Sequence, residues 1–197
     1  MKNLPVKFST NQKFAAAALV FGLLAALVSF TKSNNNSDLD LQQLASLVEN
    51  EKDHIDATEL ADWIMQKRSD YILIDTRSKS DYNEYHIPTA QNILLQKLIN
   101  ENFSAYKKIV IYSEGGTHGA QGWFFLKSKG YKEVYFLRYG LNEWIDDLLF
   151  PKVSKEMYES NSEEYQNIAR KAAFFGGEVE LSDSTNIKTK TYRREGC

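Results

Sequence analysis

The chain has 197 residues, 43% of them hydrophobic and 25% charged, with a formal net charge of -2. That is enough apolar material for one globular core with appendages. It excludes the globally basic surface that phosphate backbones require, so nucleic acid is not an expected partner. The single cysteine is Cys197, so no disulfide can form within the chain.

Lys2, Lys7 and Lys13 lead into a run from Phe14 to Phe30 that carries no charge. At a rise of about 1.5 Å per residue and a hydrocarbon core of about 30 Å, this run is at the short end of what spans a bilayer. Residues 1–13 then read as a cytoplasmic N-terminus and 14–31 as a single transmembrane helix or signal anchor. The lysine asymmetry puts the rest of the chain on the extracytoplasmic, periplasmic side of the cell membrane. A cleaved signal peptide is the alternative. The run is longer than a usual signal core and no Ala-x-Ala site follows it; Thr31-Lys32-Ser33 is the nearest small-x-small triplet.

Residues 32–51 read as a polar linker and a short amphipathic helix, with Leu41, Leu44, Leu47 and Val48 at helical spacing. From 52 to 152 helical and strand patterns alternate. A helix is expected from Thr58 to Gln66, a strand over 71–75, a helix from Leu94 to Phe103, and a strand over 108–113. A helix from Gly119 to Lys129 follows, closed by Gly130, then a strand over 134–139 and a helix from Gly140 to Leu149. This alternation implies an α/β domain with a mostly parallel sheet and helices on both faces. Sites in such a sheet form in the loops after the strand C-termini. Residues 153–181 read as a helical extension, in which Glu163–Phe175 carries Tyr165, Ile168, Ala172 and Phe175 on one face before Gly176-Gly177. Residues 182–197 have few apolar groups and read as a flexible tail.

Four segments share a further property. They are Asp75-Thr76-Arg77; Asp81-Tyr82 with the block His86 to Ile93; the stretch from Ile109 to Gln121; and Leu137-Arg138-Tyr139-Gly140-Leu141 with Trp144. In order and spacing they resemble the rhodanese family, and Phe174-Phe175-Gly176-Gly177 is similar to the C-terminal ending of some single-domain members. The resemblance implies a rhodanese-like fold over about residues 52–152. Asp75 and Arg77 at a strand end suit a charge-assisted pair that pins loops near the site. His86, before Ile87-Pro88, suits a structural role, bonding backbone in the turn that Pro88 fixes. Thr89 stands where the family has glycine.

In the family the active-site loop is Cys-x-x-Gly-x-Arg, between a strand and a helix N-terminus. Here the resemblance aligns it with Ser113-Glu114-Gly115-Gly116-Thr117-His118. Such a loop turns its backbone N–H groups inward and suits an anion. Ser113, at the cysteine position, has no sulfur to accept sulfane sulfur; His118 replaces the arginine, and Glu114 adds a negative charge. A hydrolytic Ser113–His118 pair would need a third group to orient the base, and none is evident. His54, His86 and His118 have no ligand spacing, so neither a metal nor a cofactor is expected.

Three functions follow. The first is a catalytically silent, membrane-anchored rhodanese-like module, a pseudoenzyme that binds a small anion or an unknown protein partner at the 113–118 loop. The second is a sulfur-relay protein that carries a persulfide on Cys197, beside Arg193 and Arg194. The third is a structural spacer in an envelope assembly.

Overall fold

The computed structural model describes residues 9–31 and 40–182. The expectations for residues 1–8, for the linker 32–39 and for the tail 183–197, with Cys197, lie outside them. The chain divides into two units, 1–38 and 39–197. In the first, helix α1 (Thr10–Thr31) takes up the apolar run. Among the described residues no helix is long and apolar enough to cross a membrane.

The second unit opens with α2 (Leu41–Glu49), capped by the Asp40 carboxylate, which accepts from the Gln42 and Gln43 amides. Strand β1 (His54–Ile55) leads through the N-cap Asp56 into α3 (Ala57–Met65), whose inner face buries Leu60, Ala61, Trp63 and Ile64. Then come β2 (Tyr71–Asp75), α4 (Lys79–Glu84), β3 (Gln91–Asn92), α5 (Leu95–Leu98), β4 (Lys108–Tyr112), α6 (Thr117–Ser128) and β5 (Val134–Leu137). The last part holds α7 (Gly140–Glu143), a π-helix (Trp144–Leu149), β6 (Lys152–Val153), α8 (Lys155–Ser160), α9 (Glu163–Phe174) and β7 (Glu180–Leu181).

Five strands form one sheet in the order β1-β5-β4-β2-β3, with every pair parallel. The strand period of two divides its residues between two cores. Leu73, Val110 and Tyr112 face α3 and the π-helix, while Ile74, Ile109 and Ile111 face α6. Val110, Ile111 and Trp144 are fully buried, each burial favouring the fold by about 1.5–3 kcal/mol or more before entropic costs.

Three elements differ from expectation. The helix from Leu94 to Phe103 shrinks to α5; beyond it the Phe103 amide donates to the Tyr131 hydroxyl at 2.9 Å, and the Lys129 ammonium donates to the carbonyls of Ile99 and Glu101 at 2.7 and 2.6 Å. The strand expected to reach 139 stops at Leu137, where the chain turns into Gly140 at φ 61°. The last helix divides into one α-turn and the π-helix. The C-terminal extension packs on the domain. Lys171 pairs with Asp62 at 2.7 Å, Phe175 meets the Trp144 ring edge-on at 4.8 Å, and β7 pairs with β6.

Candidate functional site

Strand β4 ends at Tyr112, and Ser113–Gly116 turn the chain into α6. Thr117 and His118 are the first two residues of that helix. The Ser113 side chain points into the turn: the residue is 1% exposed, and its Oγ accepts the Gly116 and Gly119 amides, each at 3.3 Å. Two amides of the loop cradle therefore face the chain's own hydroxyl oxygen. Gly116 sits at φ 96°, and a Cβ there would lie 2.3 Å from the Arg138 carbonyl oxygen. A Cβ on Gly140 would lie 2.4 Å from the carbonyl oxygen of Ser113. Both positions need glycine for space as well as for backbone angle.

The loop is held from behind. The first amides of α7 donate to it, Leu141 to the Ser113 carbonyl at 2.8 Å and Asn142 to the Glu114 carbonyl at 3.1 Å. The Glu143 carboxylate, 6% exposed, accepts the Ala57 amide at 3.1 Å and the Tyr139 amide at 3.2 Å, clasping the start of α3 to the start of α7. Burial raises its pKa above the ordinary carboxylate range.

Asp75 is fully buried at the end of β2. Its carboxylate accepts the Arg77 amide at 2.9 Å and takes the guanidinium side-on, with Arg77 Nε at 3.1 Å and Nη2 at 2.8 Å. Arg77 also donates to the Tyr85 carbonyl at 2.6 Å and to Glu114 at 3.3 Å. One guanidinium thus ties the ends of β2, α4 and the 113–116 turn together. His86 lies in the neighbouring turn, stacked on Tyr82 at 3.9 Å with its Nδ1 donating to the Tyr82 carbonyl at 2.8 Å. His54 bonds Asp53 at 2.8 Å, and His118 is exposed on α6. Among the described residues no group of three or more His, Cys, Asp or Glu side chains could hold a metal ion. Cys197 lies outside the described residues.

These elements frame a cleft of about 1100 Å³ at the C-terminal edge of the sheet. Leu141, Ile145, Leu149 and Phe150 give it an apolar wall, and Arg77, Glu114 and His118 line its loop side, with Asp81 and Glu84 from α4. Tyr85 also lines it; its hydroxyl accepts the Trp144 indole N–H at 2.9 Å, and burial raises its pKa. Sequence reasoning passed over Tyr85, Glu143 and the cleft itself. The available signals were a tryptophan that needs an acceptor when buried, and an acid placed among Leu141, Trp144 and Leu148.

A family model described as the rhodanese-like domain matches residues 56–147. The chain is 30% identical over 84 residues to the thiosulfate sulfurtransferase GlpE of Coxiella burnetii, covering 42% of this chain and 78% of that one. Among solved structures, the Alr3790 protein from Anabaena sp. is 26% identical, with 46% of this chain and 74% of that one covered and a TM-score of 0.44. The human single-domain sulfurtransferase TSTD1 is 20% identical, with 47% and 95% covered and a TM-score of 0.44. With its parallel sheet and the loop held between β4 and α6, this chain belongs to the rhodanese-like family.

Proposed function

We propose that this protein is a membrane-anchored rhodanese-like module that does not carry out thiosulfate sulfur transfer and instead binds a ligand or partner at its cleft. The observation that carries the reading is the position of the only thiol: Cys197 is the single cysteine of the chain, outside the matched residues 56–147. On the family resemblance Ser113 takes the place of the sulfur-carrying cysteine. A serine hydroxyl holds no sulfane sulfur, and without a base it ionises far above neutral pH. The Ser113 oxygen is also buried against two amides, and Arg77, which bonds Glu114 of the loop, is neutralised by Asp75 and Glu114. The loop framework meanwhile keeps its glycine-dependent shape, which supports binding in the absence of transfer.

Membrane attachment is supported by the charge-free run 14–30 and the lysines before it. The protein should sediment with membranes and resist extraction at high pH. Protease reaching only the extracytoplasmic face should digest the domain, and protection there would reverse the orientation.

The catalytic half is tested in the full chain with detergent, by thiosulfate-to-cyanide transfer in a Cys197→Ser background. Background rates are the expected result; a rate that Ser113→Ala abolishes overturns the reading. Intact mass after incubation of the unaltered chain with a sulfane-sulfur donor checks Cys197 as a persulfide carrier, since a gain of one sulfur there would favour the relay.

A further inference from the structure

We propose that the cleft beside the 113–118 loop takes a basic polypeptide segment, and that its occupant is this chain's own residues 183–197; this rests on the ligand-binding reading above. The cleft offers two features to an occupant. Its loop and α4 sides carry the carboxylates of Asp81, Glu84 and Glu114. Among the described residues that line the cleft the one guanidinium is that of Arg77, which is held against the buried Asp75 carboxylate and reaches Glu114 as well, so the exposed charge these residues present is negative. The opposite wall is apolar, formed by Leu141, Ile145 and Phe150 among others. An anion such as thiosulfate meets repulsion here, whereas a cationic chain with interspersed apolar groups meets attraction and a surface to bury against.

Residues 187–194 read Ile-Lys-Thr-Lys-Thr-Tyr-Arg-Arg: four cations, no acid, and Ile187 and Tyr192 as apolar groups. No other stretch beyond Asp40 has that density of positive charge without a carboxylate. The described chain ends next to the cleft. The Glu178 amide donates to the Leu149 carbonyl at 2.8 Å, and the Ser182 amide donates to the Val153 carbonyl at 2.9 Å. Leu149 lines the cleft, as do Phe150 and Gly176. Val153 is three residues on from Phe150, about 10 Å of extended chain, while the segment from 183 onward can reach about 50 Å. Length and charge both permit the segment to turn back and lie along the acidic side, with Ile187 or Tyr192 against the apolar wall. A segment held there would compete with any external ligand of the site.

Cys197 makes the test direct, because a nitroxide attached to the only thiol needs no other substitution. In the full chain with detergent, backbone amide signals of the cleft, Leu95, Glu114 and Phe150 among them, should lose intensity and regain it when the nitroxide is reduced. Raising salt from about 0.1 M to about 1 M shortens the Debye length from about 10 Å to about 3 Å and should weaken the effect. Neutralising the segment by Lys188→Gln, Lys190→Gln, Arg193→Gln and Arg194→Gln should abolish it. Glu84→Gln with Glu114→Gln should do the same from the other side. Intensity loss spread evenly over the domain, or confined to faces away from the cleft, overturns the proposal. A synthetic peptide of residues 187–194, titrated into the four-fold variant, separates the two readings. Cleft shifts from the peptide without any effect of the attached label reject the chain's own segment as occupant and keep the ligand-binding site. Silence from both rejects both.

Discussion

Asp75 and Arg77 form a side-on carboxylate–guanidinium pair with both side chains withdrawn from solvent, 0% and 8% exposed. The pair does more than neutralise itself. Through the Tyr85 carbonyl and Glu114, Arg77 connects α4 to the loop after β4. Removing one partner leaves the other charge buried, which costs about 3–5 kcal/mol, whereas replacing both with apolar groups can be nearly neutral. Asp75→Ala should therefore lower the unfolding free energy by about 3–5 kcal/mol, read from urea denaturation. Asp75→Ala with Arg77→Met should recover part of that loss. A single variant as stable as the unaltered chain would show that the pair contributes only geometry.

Glu143 gives a pH signature with a definite sign. Its folded carboxyl is buried, which raises its pKa above the ordinary value of 4.5. The folded state thus holds this proton more tightly than the unfolded chain does. The stability it contributes is fully present below pH 4.5 and is lost as pH rises through the raised folded value. Asp70 and Glu133 are shifted the other way, lowered by bonds to Arg68 and Lys108, and their stability is lost as pH falls. Those groups remain in Glu143→Gln and cancel in the difference. The stability of the unaltered chain minus that of Glu143→Gln should rise as pH is lowered from about 7 toward 4.5. A flat difference across that window would mean the Glu143 site is not desolvated as the structure has it.

Thr89 occupies φ 75°, a left-handed conformation that a β-branched side chain adopts only under constraint. Such a residue costs about 1–3 kcal/mol, and glycine's larger unfolded-state entropy offsets about 0.5–1 of the relief. Thr89→Gly also loses a 3.3 Å contact between Thr89 Oγ1 and the Tyr71 hydroxyl. The net expectation is a gain of about 1 kcal/mol, seen as a higher urea midpoint at unchanged slope. A lower midpoint would show that the Tyr71 contact outweighs the strain.

Much of the fold was legible because short apolar runs such as Tyr71–Asp75 and Lys108–Tyr112 can only be buried strands when charged helices separate them. The sequence also placed the turn between β4 and α6, through Gly116, and the bond of His86 to backbone. It did not reveal α4, β1 or β3, which are two to six residues long and owe their form to neighbours rather than to their own periodicity. Nor did it reveal that Ser113 Oγ fills its own cradle, since that depends on one rotamer. Gly116 at φ 96° also limits how the cradle can be probed. Proline, whose ring fixes φ near -65°, cannot remove that amide without rebuilding the loop.

The same cradle allows a gain-of-function test. In Ser113→Cys the sulfur would replace an oxygen that already accepts the Gly116 and Gly119 amides at the start of α6. Those amides and the helix N-terminus favour a thiolate. The thiolate would attack the outer sulfur of thiosulfate and release sulfite; cyanide would then carry the sulfur off as thiocyanate and restore the thiolate. Two obstacles remain in the single variant. Glu114, next to the nucleophile and bonded to Arg77 at 3.3 Å, repels the dianion and engages the nearby guanidinium. His118 stands where the family resemblance has arginine. Ser113→Cys alone should therefore show slow transfer, and adding Glu114→Gln with His118→Arg should raise kcat/KM by about 10–100-fold, the scale of one hydrogen bond to a charged group at about 1.5–3 kcal/mol. All measurements belong in a Cys197→Ser background. Equal rates for the single and triple variants would mean that loss of the sulfur atom alone silences the site, and that the acidic side of the cleft has no bearing on anion turnover.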